Sequence, residues 1–229
     1  MKKMMMIVAM MAATVTASAQ FEAGTFSLQP KLGATGSMLS NMPNLDTAGA
    51  GGVNLTSDKT ATGGFIIGGE AEYQLSNVFS LAAGVNYAQQ GCGWKDKSFS
   101  FNGVVAELKD TKVELGYVNV PVVINAYLFR GFAVKAGVQF GFMTDAHLKM
   151  TTESTLSGYD VTTDISADFK KACEKFEFAI PLGISYEFKD HWVLDARYQL
   201  SLSKLNKESA DKDNKNSLFM LTCGYKFKL

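Results

Sequence analysis

The chain has four prolines, three cysteines and two histidines, and no excess of charge of either sign. Proline removes a ladder donor, so its scarcity leaves the backbone free to pair along long strands. Three cysteines are too few for a disulfide-stapled scaffold. Basic and acidic residues number 22 each, and without Lys2 and Lys3 the balance is 20 against 22, a net charge of −2. Nothing in that balance draws nucleic acid, so no nucleic-acid partner is expected. After the first turns of sequence, no apolar run approaches the roughly 18 residues that a membrane-spanning helix needs.

What is present begins at the amino terminus. Lys2 and Lys3 precede an apolar run over 4–15, followed by Ala17, Ser18 and Ala19. A basic start, an apolar stretch too short to span a bilayer and small residues before the cut form an export signal. Residues 1–19 are therefore expected to be a cleaved signal peptide, and residues 20–229 a single domain. Abundant glycine suits tight turns and close-packed walls.

Period-2 alternation dominates the rest. Along 218–229, Phe219, Leu221, Cys223, Tyr225, Phe227 and Leu229 share one face, and Thr222, Gly224, Lys226 and Lys228 the other. Side chains alternate sides along a strand, so this is a strand with one apolar and one polar face. Seven more segments behave alike, near 26–35, 64–75, 79–89, 118–128, 132–142, 176–188 and 192–202. Each is long enough to cross a membrane as a tilted strand of roughly 9–11 residues. The expected fold is all-β: an eight-stranded antiparallel transmembrane β-barrel.

The connections alternate as well. Ser76-Asn77, Arg130-Gly131 and Lys189-Asp190-His191 are tight turns, whereas 36–63, 90–112, 144–173 and 203–217 are long. Short turns on one side and long loops on the other are the asymmetry of bacterial outer-membrane barrels, with the loops outside the cell. Phe79, Phe132, Phe188, Trp192 and Phe227 lie near the short-turn ends and are expected to form a periplasmic aromatic belt. The terminal Tyr225, Phe227 and Leu229 form the strand expected to signal the barrel-assembly machinery, and outer-membrane lipids are the expected surroundings. One stretch breaks phase: Val113, Leu115 and Tyr117 alternate opposite to Val118 onward. A one-residue slip exchanges faces, so a β-bulge near Tyr117 or an extended hairpin above the membrane is expected.

Four segments together resemble a known family: Tyr117-Val-Asn-Val-Pro-Val-Val-Ile-Asn125, Val134-Lys-Ala-Gly-Val-Gln-Phe-Gly141, Leu194-Asp-Ala-Arg-Tyr198 and Gly224-Tyr-Lys-Phe227. The chain is similar to the small outer-membrane β-barrel proteins of the porin-family or PorT-like type, related in architecture to the OmpX and OmpW barrels. It departs from their pattern at Asn119, where they carry Glu, and at Asn125, where a basic residue is usual. The resemblance implies an outer-membrane barrel and names no cargo; by analogy it also suggests an accessory barrel of a protein-secretion apparatus.

Eight strands enclose a space that side chains roughly fill, whereas diffusive porins need about sixteen. Glu70, Glu72, Lys135, Glu177, Glu187, Asp195, Arg197, Lys226 and Lys228 are expected inside as a paired network, because unpaired buried charge is costly. Asp195 and Arg197 share a face, with Lys226 and Lys228 on the next strand and Glu177 and Glu187 on the previous one. Inward Gly84, Gly137, Gly141, Gly183 and Gly224 raise the other reading, gaps that pass protons or small solutes. A lipocalin-like secreted barrel would need apolar side chains inside; the aromatic strand ends and ionic counter-face favour lipid outside. Cys92 and Cys173 both fall at the loop side and are candidates for a disulfide, two independent thiols being the alternative, while Cys223 points to lipid. His147, near Asp145 and Ser154, and His191 sit in no catalytic or metal-binding spacing, so neither enzyme activity nor a metal or cofactor is expected. The function expected is a non-enzymatic outer-membrane component that is structural, presents loops, or passes small solutes slowly.

Overall fold

The computed structural model describes residues 22–39, 59–101, 104–156, 159–188, 191–205 and 215–229; the expected signal segment lies outside them. Eight strands form a wall: β1 (Phe26–Leu39), β2 (Thr62–Gln74), β3 (Phe79–Trp94), β4 (Val104–Phe129), β5 (Phe132–Leu156), β6 (Phe176–Glu187), β7 (Trp192–Ser201) and β8 (Asn216–Tyr225). Each pairs antiparallel with the next. β8 returns to β1 between the pairs Lys31–Gly224 and Leu39–Asn216, and Phe227–Lys228 continues that seam onto Ser27 and Leu28. The ring is closed and leaves no edge within its wall.

Register sets its dimensions. Stepping between paired residues from Tyr186 through Leu194, Cys223, Leu32, Ile67, Tyr87, Val118 and Phe142 leads back to β6 at Phe176, ten residues from the start. With ordinary strand spacing, a stagger of that size over eight strands implies a tilt of about 40° and a backbone radius of about 8 Å. A ten-residue strand such as β7 then rises about 25 Å, the height of the apolar band on outer-membrane barrels. The outward side chains are apolar and exposed, among them Leu32, Phe65, Ile67, Ile124, Ile184, Leu194 and Leu221. Buried in the opposite direction are Lys31, Glu70, Lys135, Asp195 and Arg197. This is the membrane orientation, the reverse of a lipocalin-like barrel.

The tight turns follow from local chemistry. At the β2–β3 turn the Ser76 hydroxyl accepts from the backbone N–H groups of Val78 (3.3 Å) and Phe79 (3.1 Å). At the β4–β5 turn Gly131 takes φ +82°, and a Cβ there would stand 2.4 Å from the Glu187 carbonyl oxygen, so only glycine fits.

At the other end the strands run further than expected. The segments 90–112 and 144–173, read as loops, are largely strand: β3 reaches Trp94, β4 starts at Val104 and β5 continues to Leu156. Two further strands flank that hairpin, Lys97–Phe101 on β4 and Tyr159–Asp168 on β5. Thr162 through Asp168 are exposed in succession, so this sheet has no buried face there to create an apolar alternation. Threonine and valine pair well without one, which is why the pattern was silent.

The phase break at Val113–Tyr117 also has a physical cause. β4 does not slip: Val113, Leu115, Tyr117, Asn119 and Pro121 are all buried in one unbroken alternation. What changes is the outside, which passes from lipid at Val118, through a buried Gly116, to water at Glu114 and Lys112. The hairpin is therefore the extended one, and its irregularity sits on the partner strand. Gly116 pairs with Asp145 and Tyr117 with Met143, which makes Thr144 the extra residue of a bulge on β5.

Candidate functional site

The interior is stacked in four layers. The centre is an ion cluster spanning the lumen. Arg197 on β7 donates through Nη1 and Nη2 to the two Glu70 oxygens on β2, at 2.5 and 2.7 Å. It also donates through Nε and Nη2 to Asp195, both at 2.8 Å. Lys31 on β1 meets Glu70 at 2.5 Å, and Lys135 on β5 meets Asp195 at 2.6 Å. All five side chains are nearly inaccessible. A planar guanidinium held by two carboxylates on both edges is the geometry that charge-assisted pairs favour. Long side chains reach across a wall-to-axis distance of about 8 Å, so partners lie across the lumen as readily as beside each other.

Glycine makes that packing feasible. A Cβ on Gly84 would stand 2.5 Å from Glu70 Cγ, and one on Gly183 would stand 2.8 Å from Arg197 Cγ. The small inward residues thus open no passage at this level. They are filled by the two charged side chains that cross in front of them.

Towards the short turns lies a second cluster. Lys226 meets Glu72 at 2.9 Å and Glu187 at 3.2 Å. Tyr127 donates to Glu72, Ser80 donates to Glu72 at 2.6 Å, and Asn125 donates to Ser80 at 2.9 Å. His191, in the last tight turn with φ +62°, places Nδ1 3.0 Å from Glu187. Towards the loops the third layer is polar but mostly neutral. Gln139 donates to Gln199 at 2.6 Å and Gln199 to Glu177 at 2.9 Å, while Asn216 donates to Gln90.

The fourth layer is apolar. Leu39, Cys92, Trp94, Val113, Leu115, Tyr117, Met143, Ala146, Cys173 and Leu205 form one buried cluster, with Leu148 and Phe169 packed on it. Residues between Tyr159–Asp168 and β6 fold back to build it through a short 3-10 turn, Lys170–Ala172. Backbone bonds hold this closure: Phe169 to Ala146 (3.2 Å), Met143 to Lys175 (2.8 Å) and Glu174 to Leu205 (2.8 Å). The Lys170 ammonium donates to the Thr144 carbonyl at the β5 bulge. On the outer face of the same strands Glu114 meets Lys149 at 2.7 Å and Lys112 at 3.1 Å. Burial pushes the Glu114 carboxyl up, but those two lysines outweigh it and hold it below the usual carboxylate range.

The residues expected inside divide accordingly. Glu70, Lys135, Asp195 and Arg197 meet in the central cluster, and Glu72, Glu187 and Lys226 in the lower one. Glu177 stands apart among amides. Lys228 is exposed at the short-turn mouth, in the Phe227–Lys228 segment that pairs with Ser27 and Leu28 of β1. Lys31, Tyr127, Ser80 and Gln199 are members that the charge pattern missed, although Lys31 shares the inward phase of β1 and is flanked in register by Gly68 and Gly224. Phe79, Phe188, Trp192 and Phe227 are exposed at the short-turn end, with Phe132 half-buried there. Rings join them there: Phe129 stacks on Phe132 at 4.7 Å, Tyr186 meets Phe188 at 4.9 Å, and Tyr225 bridges Trp192 and Phe227. Leu229 is exposed, its N–H donating to the Phe26 carbonyl at 2.9 Å. Cys92 and Cys173 are buried in the same apolar cluster, and Cys223 is exposed on the lipid face. His147 lies within β5 opposite Glu114, not in a loop. Among the described residues no three His, Cys, Asp or Glu side chains gather as metal ligands.

A family model described as outer membrane protein beta-barrel domain matches residues 18–207. No curated protein matches the chain. Solved structures similar to it include Ail, the attachment invasion locus protein of Yersinia pestis, at 14% identity and TM-score 0.42, covering 90% of this chain and 99% of that one. Neisserial surface protein A is similar at 15% identity and TM-score 0.43, with 88% and 97% covered. OprG of Pseudomonas aeruginosa is similar at 13% identity and TM-score 0.41, with 92% and 99% covered.

Proposed function

Since the chain belongs to the outer membrane protein beta-barrel domain family and so resides in the bacterial outer membrane, we propose that it is a closed, non-enzymatic barrel whose work is structural and loop-presenting. The observation that carries this reading is the Arg197 cluster, which joins β1, β2, β5 and β7 across the axis at hydrogen-bond distance. The apolar layer above it is a second seal. An ion would have to break charge-assisted bonds at the centre and then cross an apolar layer, each costly. The histidines favour no catalysis: His191 is engaged with Glu187 at the mouth, and His147 sits on the outer face of the hairpin.

The same reading assigns residues 1–19 to an export signal and 20–229 to the barrel. It takes Tyr225, Phe227 and Leu229 as the strand that the barrel-assembly machinery engages. The aromatic ring at Phe79, Phe132, Phe188, Trp192 and Phe227 anchors the periplasmic interface, where such side chains concentrate. The extended hairpin and its flanking strands are the surface offered to the outside. Liposome swelling tests the closed state. Vesicles holding the refolded protein should shrink and stay shrunken in glycine, glucose or sucrose, as protein-free vesicles do. Re-swelling in the smallest solute alone would favour slow solute passage instead.

A further inference from the structure

The fold treats its three cysteines unequally. Cys223 is exposed towards lipid, whereas Cys92 and Cys173 are drawn from opposite sides of the β4–β5 hairpin in the sequence into one buried cluster, at 0% and 3% exposure. Cysteine is often buried as a small hydrophobe, so burial alone assigns no role. What decides is where each backbone is anchored and which compartment the chain passes through.

Cys92 belongs to the wall, where β3 carries it opposite Val113 of β4. The residue before it is clamped from β1: the Gly91 N–H donates to the Ser37 hydroxyl at 2.5 Å, and that hydroxyl donates to the Gly91 carbonyl at 2.9 Å. Cys173 belongs to the strap that closes the lumen. It ends the Lys170–Ala172 turn, its N–H donating to the Lys170 carbonyl at 3.2 Å. The strap is tied on both sides of it. The Phe169 N–H donates to Ala146, which pairs with Leu115, and the Lys175 carbonyl accepts from Met143, which pairs with Tyr117. Val113, Leu115 and Tyr117 are successive inward residues of β4, so the strap crosses just below the level where Cys92 enters the cap. Both side chains end in the same dry cluster, one from the wall and one from the strap.

We infer that Cys92 and Cys173 are joined by a disulfide in the mature protein, which staples the strap to the barrel wall. A chain bound for the outer membrane passes through an oxidising compartment, where such bonds form and persist. The exchange balances. One cysteine, as thiolate, attacks the disulfide of a periplasmic dithiol oxidant and forms a mixed disulfide. The second thiolate then displaces the oxidant's sulfur. The product is one Cys92–Cys173 bond, and the oxidant leaves as its dithiol with two electrons and two protons. The described backbone bonds and the Lys170 ammonium tie the strap to β5 and to Leu205. The disulfide adds β3 and closes a covalent loop around the β4–β5 hairpin, removing open arrangements of the strap that packing alone would allow. It does so whether or not the barrel conducts.

The test takes the mature chain from outer membranes without reductant, unfolds it in an alkylating agent so that every thiol is reached, and maps it with trypsin. No lysine or arginine lies between Lys59 and Lys95 or between Lys171 and Lys175. The bond should therefore appear as peptide 60–95 joined to peptide 172–175, and vanish on prior reduction. Alkylated Cys92 and Cys173 in the unreduced sample would overturn the proposal, as would either of them joined to Cys223 or to a second chain. A second readout follows the strap in the folded protein. Tryptic cleavage after Lys170 or Lys171 should be about tenfold faster in Cys92→Ala and in Cys173→Ala than in wild type. The double variant should be no faster than either alone, because one shared bond is lost in all three. Effects that multiply in the double variant would report two separate packing losses and contradict the bond.

Discussion

Above and below Tyr117, strand β4 keeps a single alternation while its faces exchange roles. Below, Val118, Val120 and Val122 face lipid, and Asn119, Asn125 and Tyr127 face a polar lumen. Above, Lys112 and Glu114 face water, and Val113, Leu115 and Tyr117 enter an apolar cluster. The backbone geometry is continuous, so the inversion reports a change of solvent. Where lipid surrounds the wall, the apolar residues serve the outside and polarity is confined within. Where water surrounds it, the same wall closes over an apolar core like any soluble protein.

The two regions should therefore fail differently. Arg197→Ala should do the most damage, because it leaves Glu70 and Asp195 buried with less cation between them. A loss of about 3–5 kcal/mol is expected, read as a lowered urea midpoint of the barrel in lipid vesicles. Leu115→Ala strikes the upper region and should cost about 3 kcal/mol through the cavity left behind. Its signature should be faster proteolysis of 157–175 while the heat-dependent gel shift of the barrel persists. A variant that loosened both ends equally would break the distinction.

Lys135→Met sharpens the contrast within the ionic region. Asp195 keeps its two bonds from Arg197, so the midpoint should fall by about 2 kcal/mol, less than for Arg197→Ala. Smallest of all is Glu114→Gln on the wetted face, worth about 0.5 kcal/mol as a partly exposed pair. Its pH dependence has a defined sign. Glu114 is held below the usual carboxylate range, so its contribution is present at neutral pH and is lost as pH falls through the lowered value. Hydrogen exchange of the β4–β5 hairpin amides should accelerate on acidification in wild type more than in the variant.

Much of the wall was legible because lipid imposes strict alternation, and eight such runs with three tight turns define the strand order. The cross-barrel partners were not. Arg197 and Glu70 lie on β7 and β2, which are not neighbours in the ring, and only a radius of about 8 Å brings them together. Lys226, just past β8, likewise meets Glu187 on β6 and Glu72 on β2, neither of them on a strand adjacent to β8. The apolar cap was hidden for another reason. Leu39, Cys173 and Leu205 lie far apart in the sequence, and nothing periodic marks them as one cluster. Val113, Leu115 and Tyr117 did carry the signal, as a phase reversal whose cause is the membrane boundary.

On the proposed reading, two unlike seals stand in series along the lumen. Planar-bilayer conductance of the purified barrel tests it most directly, comparing wild type, Arg197→Ala, and Arg197→Ala combined with Leu115→Ala and Tyr117→Ala. The account predicts silence from wild type and from the single variant, whose cap is intact, and discrete openings once both layers are cut. Discrete openings in wild type, with folding verified by the gel shift, would contradict it.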